Sequence, residues 1–362
     1  MQKILLLVFN TLILFSTPFL RAEEEICIGQ IVNNFGEMHK YAAAITVGIE
    51  AAIQEINQAG GIKGKKLKLL SYNDNGNPLR AQEAANELKI RGAKFFLGCM
   101  GTRSIVGLIP DIEAGNITML FPWSNSKELR NPSLSHMING PGLLQPQINM
   151  ITDHICNKLK LKRIGIIHAD DPFSEEGKHY AEQDLDKLGL KAVSTQSYSR
   201  QQFVFKKAAQ ALFEAAPKAV MCISTSMPAV KIIKNFLSNG NYTTAFFGID
   251  STFMTGDILQ ETNFPFYYTA VVPNPRSSSL AIAKEYLRSL RKSAPAALPN
   301  VLSFTYYIST RLLIEALQHS LEPIEVIHYL EKLQNYSLGG FTVDFDKTTR
   351  HLFGSRIFLI KD

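Results

Sequence analysis

Apolar positions along this chain follow two periods that alternate almost without pause. Short apolar and β-branched runs give way to longer stretches in which apolar residues return every three or four positions. The run over 26–32 predicts a strand, and the stretch over 39–57 predicts a helix with Ile45, Ile49, Ile53 and Ile56 on one face. Gly60-Gly61 ends it as a left-handed helix cap does. A strand over 67–72 leads into the polar loop Asn73-Asp74-Asn75-Gly76. Asn77 then caps a helix with Pro78 in its first turn and Leu79, Ala84, Ala85 and Leu88 on its apolar side. Strands over 95–98 and 117–121 flank a further helix over 104–114.

The rhythm then restarts. Helices are predicted over 145–160, 174–188, 203–215 and 228–239, and strands over 163–168, 192–198, 219–223 and 245–249. Repeated βα units build parallel sheets. Two sets in 362 residues predict two α/β lobes. The tail departs from the pattern. After a strand over 268–272, helices over 279–293, 301–319 and 323–333 follow in succession, and strands over 341–345 and 356–360 surround a turn at Asp346-Lys347. Such a run of helices predicts a chain that returns to the first lobe and then crosses back. Three crossings would make a hinge.

Composition adds class and compartment. Hydrophobic residues are 46% and charged residues 19%, an ordinary globular balance. At the N-terminus, Lys3 precedes an apolar stretch from Ile4 to Phe15, then Ser16, Thr17 and Pro18. This reads as a secretory signal cut after Ala22, which implies an exported protein. The uncharged run over 4–20 is shorter than the ~20 residues of a spanning helix. Arg21 beside the cut is atypical and leaves an uncleaved anchor open. The formal charge is +6, to which Lys3 and Arg21 contribute. The densest basic cluster, Lys63, Lys65, Lys66 and Lys68, has no interleaved aromatics and reads as a solvated turn, so no nucleic-acid partner is expected.

Four cysteines in an exported chain raise the question of disulfides. Cys27 opens the first strand and Cys99 follows the third. In neighbouring parallel strands their sulfurs would lie roughly 15 Å apart at ~3.3 Å per residue, beyond the about 7 Å that a bridge spans. Cys156 reads as helical and Cys222 as mid-strand, and free thiols are expected for all four.

No catalytic signature is present: no nucleophile elbow, zinc-protease helix, phosphate loop or dinucleotide fingerprint. The eight histidines are scattered, and Asp74 among Asn73, Asn75 and Asn77 lacks the acid that a calcium loop needs. No enzyme, metal or cofactor is expected. Binding chemistry gathers instead at strand ends, where open α/β sheets hold ligands. Gly98 to Ser104 offers Thr102 and Ser104, and Phe121 to Ser126 offers Trp123, Ser124 and Asn125. Such hydroxyls also cap helices, and Trp123 also suits a core; both readings stand on these residues alone.

The set of segments is more specific. Asn57-Gln58-Ala59-Gly60-Gly61-Ile62-Lys63-Gly64 after the first helix, Tyr72-Asn73-Asp74, Gly101-Thr102-Arg103-Ser104 and Phe121-Pro122-Trp123-Ser124-Asn125 fall in order along the chain. Glu128-Leu129-Arg130-Asn131-Pro132, Val271-Val272-Pro273-Asn274-Pro275 and Leu338-Gly339-Gly340-Phe341 complete the series. Together they resemble the periplasmic leucine/isoleucine/valine-binding proteins, the type I solute-binding proteins of ABC importers. The resemblance implies two Rossmann-like lobes with parallel central sheets joined by a three-strand hinge. It places a signal at 1–22, one lobe at 23–142 with 274–336, and the other at 143–273 with 337–362.

It also implies that an amino acid or similar small polar solute, small organic acids included, is held between the lobes and delivered to a membrane permease. A ligand-sensing receptor of the same fold is the second reading. By position, Thr102 corresponds to a carboxylate-binding hydroxyl, and Trp123, Ser124 and Asn125 to the surroundings of the ligand head. Tyr41 corresponds to a rim tyrosine, Phe173 and Thr225 to two second-lobe tyrosines, and Asp250 to the acid that takes the ammonium. Gly76 and Gly101 stand where the family has a disulfide, and Trp123 would fill space that an aliphatic side chain needs.

Overall fold

The computed structural model describes residues 25–140, 142–199, 205–240, 243–253, 266–353 and 356–361. The expected signal segment and the start of the helix expected at 203 lie outside these residues.

The first sheet forms from β1 (Glu25–Val32), β2 (Lys66–Asn73), β3 (Phe95–Leu97), β4 (Thr118–Leu120) and β5 (Met137–Ile138). Its order is β2-β1-β3-β4-β5, and every pairing is parallel. Between the strands run α1 (Met38–Gln58), α2 (Pro78–Ile90), α3 (Thr102–Val106) and α4 (Ile109–Glu113). Asn77 caps α2 as its side chain predicts, accepting from the Leu79 and Arg80 N–H groups. The single helix expected over 104–114 is two short ones that break at Gly107-Leu108. β5 escapes the sequence pattern because it is only two residues long.

The second set comprises α5 (Leu144–Asp153), β6 (Ile164–Ala169), α6 (Pro172–Lys187), β7 (Ser194–Tyr198), α7 (Lys206–Glu214), β8 (Ala219–Ile223), α8 (Ser226–Leu237), β9 (Ala245–Gly248), α9 (Asp250–Phe253) and β10 (Phe266–Ala270). A π-helical turn, His154–Lys158, extends α5. Near-continuous apolar strands such as β6 and β8 are buried along their whole length, as a sheet covered on both faces requires.

Three helices follow: α10 (Ala281–Ser293), α11 (Val301–His319) and α12 (Pro323–Glu331). α1 packs against α10 and α11, so the chain does return to the first sheet. Gly48 makes that approach close. A Cβ there would stand 2.1 Å from the Ser303 carbonyl oxygen.

The ending differs from expectation. β11 (Tyr336–Leu338) and β12 (Phe341–Val343) form a hairpin at Gly339-Gly340 that lies on Leu280 and Ile282 at the start of α10. β13 (Phe358–Lys361) pairs antiparallel with β10, so residues 341–345 and 356–360 do not pair with each other. The second sheet is ordered β13-β10-β9-β8-β6-β7, parallel apart from β13.

Three chain segments join the two sheets and run side by side. The Asn139 N–H donates to the Arg350 carbonyl at 2.6 Å, and the Leu352 N–H to the Asn139 carbonyl at 3.2 Å. Val271 lies against Gly142. Buried Asn139 reinforces the junction by donating to the Leu129 and Thr349 carbonyls.

All four cysteines are free. The Ile31 N–H donates to Cys99 Sγ at 3.3 Å, four residues along β1 from Cys27, a separation of roughly 13 Å at ~3.3 Å per residue.

Candidate functional site

The carboxyl ends of the parallel strands in both sheets meet between the lobes. Gly98, at φ +63, ends β3 where the chain turns under α11. Its missing side chain leaves room for Ile45, Ile49 and the ring of Tyr306, each 3.0 Å from where a Cβ would stand. The next loop carries Thr102, whose hydroxyl lies 2.9 Å from that of Ser124 in the loop after β4. Thr102 is exposed, Ser124 is buried, and Asn125 is half-buried beside it. Ser104 is buried near Asp74.

Tyr41, in the first turn of α1, is fully buried and stacks on half-exposed Trp123 with ring centroids 4.9 Å apart. Its hydroxyl reaches the other lobe. It donates to the Ser251 carbonyl at 2.9 Å, accepts from the Ser226 N–H at 3.0 Å, and lies 2.5 Å from the Ser226 hydroxyl. Thr225 is bonded across the cleft as well, its hydroxyl donating to Glu37 Oε1 at 2.6 Å. Lys127 and Glu176 close another point of the rim with an exposed ion pair at 2.7 Å.

Asp250 begins α9 and is 2% exposed. Its Oδ1 accepts from the Ser251 N–H, and its own N–H donates to Gln147 Oε1. Asp250 Oδ2, Ser251 Oγ and Tyr306 Oη are buried without a hydrogen-bond partner among the described residues. Burial pushes the Asp250 carboxyl up to about 7, and nearby Arg130 opposes the rise.

Arg130 is a cation that the sequence reading missed as part of the site. It is 8% exposed, donates to the Ser124 carbonyl at 3.4 Å, and is pulled down to about 10 by burial, so it stays charged. Its signal, an arginine inside Glu128-Leu129-Arg130-Asn131-Pro132, was read only as family pattern. Neighbouring His351 is buried, and desolvation holds it down to about 3, hence neutral. Phe173 is half-buried in the first turn of α6 and packs against the second lobe's core.

The structure thus gathers hydroxyls and an aromatic pair from the first lobe opposite Thr225 and Asp250 from the second. Among the described residues, Phe173 and Ser104 make no hydrogen bond between the two groups, while Glu37, absent from the sequence reading, bonds Thr225 and Met227 across the cleft. Such an arrangement can desolvate a small solute and meet a donor with Asp250. Among the described residues it brings together no nucleophile–base pair.

The profile of the Periplasmic binding protein family matches residues 25–360. The Leu/Ile/Val-binding protein of Escherichia coli K12 is 30% identical over 166 residues, 46% of this chain and 45% of that protein. The aligned stretch spans less than half the length of the first curated relatives it matches. The branched-chain amino acid transporter substrate binding protein of Streptococcus pneumoniae, solved with isoleucine, superposes with a TM-score of 0.79 at 17% identity, covering 91% of this chain and 94% of that one. A fatty acid ABC transporter substrate-binding protein from Thermomonospora curvata superposes with a TM-score of 0.81 at 15% identity, covering 93% and 88%. Family members are binding proteins rather than enzymes. The chain belongs to the periplasmic binding protein family, and its two-lobed fold is that of the type I members on which it superposes.

Proposed function

We propose that this chain is a periplasmic solute-binding protein, not an enzyme, that captures an amino acid or similar small polar solute between closing lobes and delivers it to the permease of an ABC importer. The observation that carries this reading is the group of buried polar atoms between the lobes, Asp250 Oδ2 with the Ser251 and Tyr306 hydroxyls, that have no partner among the described residues. An unsatisfied buried polar atom costs about 1–3 kcal/mol, so Asp250 Oδ2 favours a donor such as an ammonium. The Thr102 and Ser124 hydroxyls, 2.9 Å apart on the opposite wall, suit a carboxylate. Trp123 narrows the space beside them and favours a compact solute. The printed names of the Escherichia coli and Streptococcus pneumoniae proteins support amino acids, and the fatty-acid protein marks how widely this fold varies its solute.

In this reading the lobes are 23–142 with 274–336 and 143–273 with the chain end. The packing of 336–353 on α10 and on the segment around Asn139 supports counting that stretch with the first lobe. A thermal-shift screen of amino acids and small carboxylates tests the function. A solute at 100 times its Kd adds about 2.7 kcal/mol of stability. Stabilisation by an amino acid supports the reading, and stabilisation by none of them overturns it.

A further inference from the structure

We infer that Glu37 is an interlobe latch, a first-lobe carboxylate that caps helix α8 of the second lobe and favours the closed form without any solute. Thr225 stands at the N-cap of α8, a 12-residue helix, yet its side chain makes no capping bond to its own helix. An N-cap threonine ordinarily accepts from the N–H two or three residues on. Here the Met227 N–H donates to Glu37 Oε2 at 2.9 Å, and the Thr225 hydroxyl turns away to donate to Glu37 Oε1 at 2.6 Å. The Ser226 N–H goes to Tyr41 of the same lobe as Glu37. The first turn of α8 is therefore satisfied from across the cleft.

Glu37 is spent entirely on this contact. It precedes α1 at the N-cap position but makes no capping bond there. A carboxylate at a helix N-terminus gains from the helix dipole as well as from its hydrogen bonds, and opening the lobes would uncap α8 and return the carboxylate to water. The other rim contact, Lys127–Glu176, is a weaker candidate, since its lysine side chain is 74% exposed and solvent screens the pair. Only free energy that differs between open and closed forms shifts their ratio, and the Glu37 bonds exist only when the lobes touch. They act on the ligand-free protein, so the inference does not depend on which solute binds.

Small-angle scattering and amide exchange on the ligand-free protein test this directly. Wild type is expected to be compact with a protected Met227 amide. Glu37→Ala and Thr225→Val, which keep the lobe cores intact, are expected to lower the closed-to-open ratio on the order of 10-fold and to speed exchange at Met227. Thr225→Val preserves side-chain shape, so expansion in it reports the lost bond rather than lost packing. Thermal melting separates opening from unfolding. A ligand-free wild type already as expanded as Glu37→Ala, or variants with unchanged scattering and unchanged Met227 protection, overturns the inference.

Discussion

Tyr41 and Trp123 stack with their planes 28° apart, while the Tyr41 hydroxyl bonds Ser226 and Ser251 of the opposite lobe. The chain's single tryptophan therefore leans on a residue whose position depends on closure. Its fluorescence is expected to change in intensity or wavelength when a tight solute binds. An unchanged spectrum with a verified solute would move Trp123 out of the cleft account.

Asp250 predicts a pH signature. Its carboxyl stands at about 7 in the native chain, against about 3.9 unfolded. Between these values the native state holds a proton that the unfolded state lacks. Ligand-free stability should therefore fall as pH rises through that window and level off above about 7. Asp250→Asn is expected to remove this slope while keeping the fold, as denaturant titrations from pH 4 to 8 would measure. A slope that persists in the variant assigns it to another group.

The same carboxyl links binding to protons. An ammonium pairs with the ionised form, so uptake of an amine at pH 6 should release nearly one proton. Calorimetry in buffers of different ionisation enthalpy reads that number. Asp250→Asn should abolish the release and weaken binding about 10- to 150-fold, the loss of one charged hydrogen bond. Proton-neutral binding by the wild type would contradict the role.

Gly48 predicts a packing cost. With the Ser303 carbonyl 2.1 Å from its Cβ position, Gly48→Ala forces α1 and α11 apart and should destabilise the first lobe by roughly 1–3 kcal/mol. A lowered thermal midpoint checks it, and an unchanged midpoint would mean the helices separate freely.

Thiol chemistry gives a fifth check. Titration of denatured, unreduced protein should find four thiols. In the native state Cys99 and Cys222 should react last, since burial pushes both up to about 12. Two or no thiols in the denatured protein would contradict the strand geometry.

Much of the fold was legible because long elements carry strong periods. The isoleucines of α1 and the apolar strands β6 and β8 announce themselves. β5 and the β11–β12 hairpin do not, because two- and three-residue strands leave no period. Candidate site residues on strand ends, such as Thr102, Trp123 and Asp250, could be picked by position. Glu37 could not: an acidic residue before a helix reads as a local cap, and only the opposite lobe gives it another partner. Arg130 escaped for a similar reason, since nothing in its sequence neighbourhood says that a loop arginine is buried.

The most direct test of the account is calorimetric titration of the wild-type protein with α-amino acids and with matched carboxylates that lack the amine. The account predicts saturable one-to-one binding of at least one amino acid, with the amine-free analogue weaker by about tenfold or more. Equal affinity for the analogue, or binding by no amino acid in the panel, would contradict it.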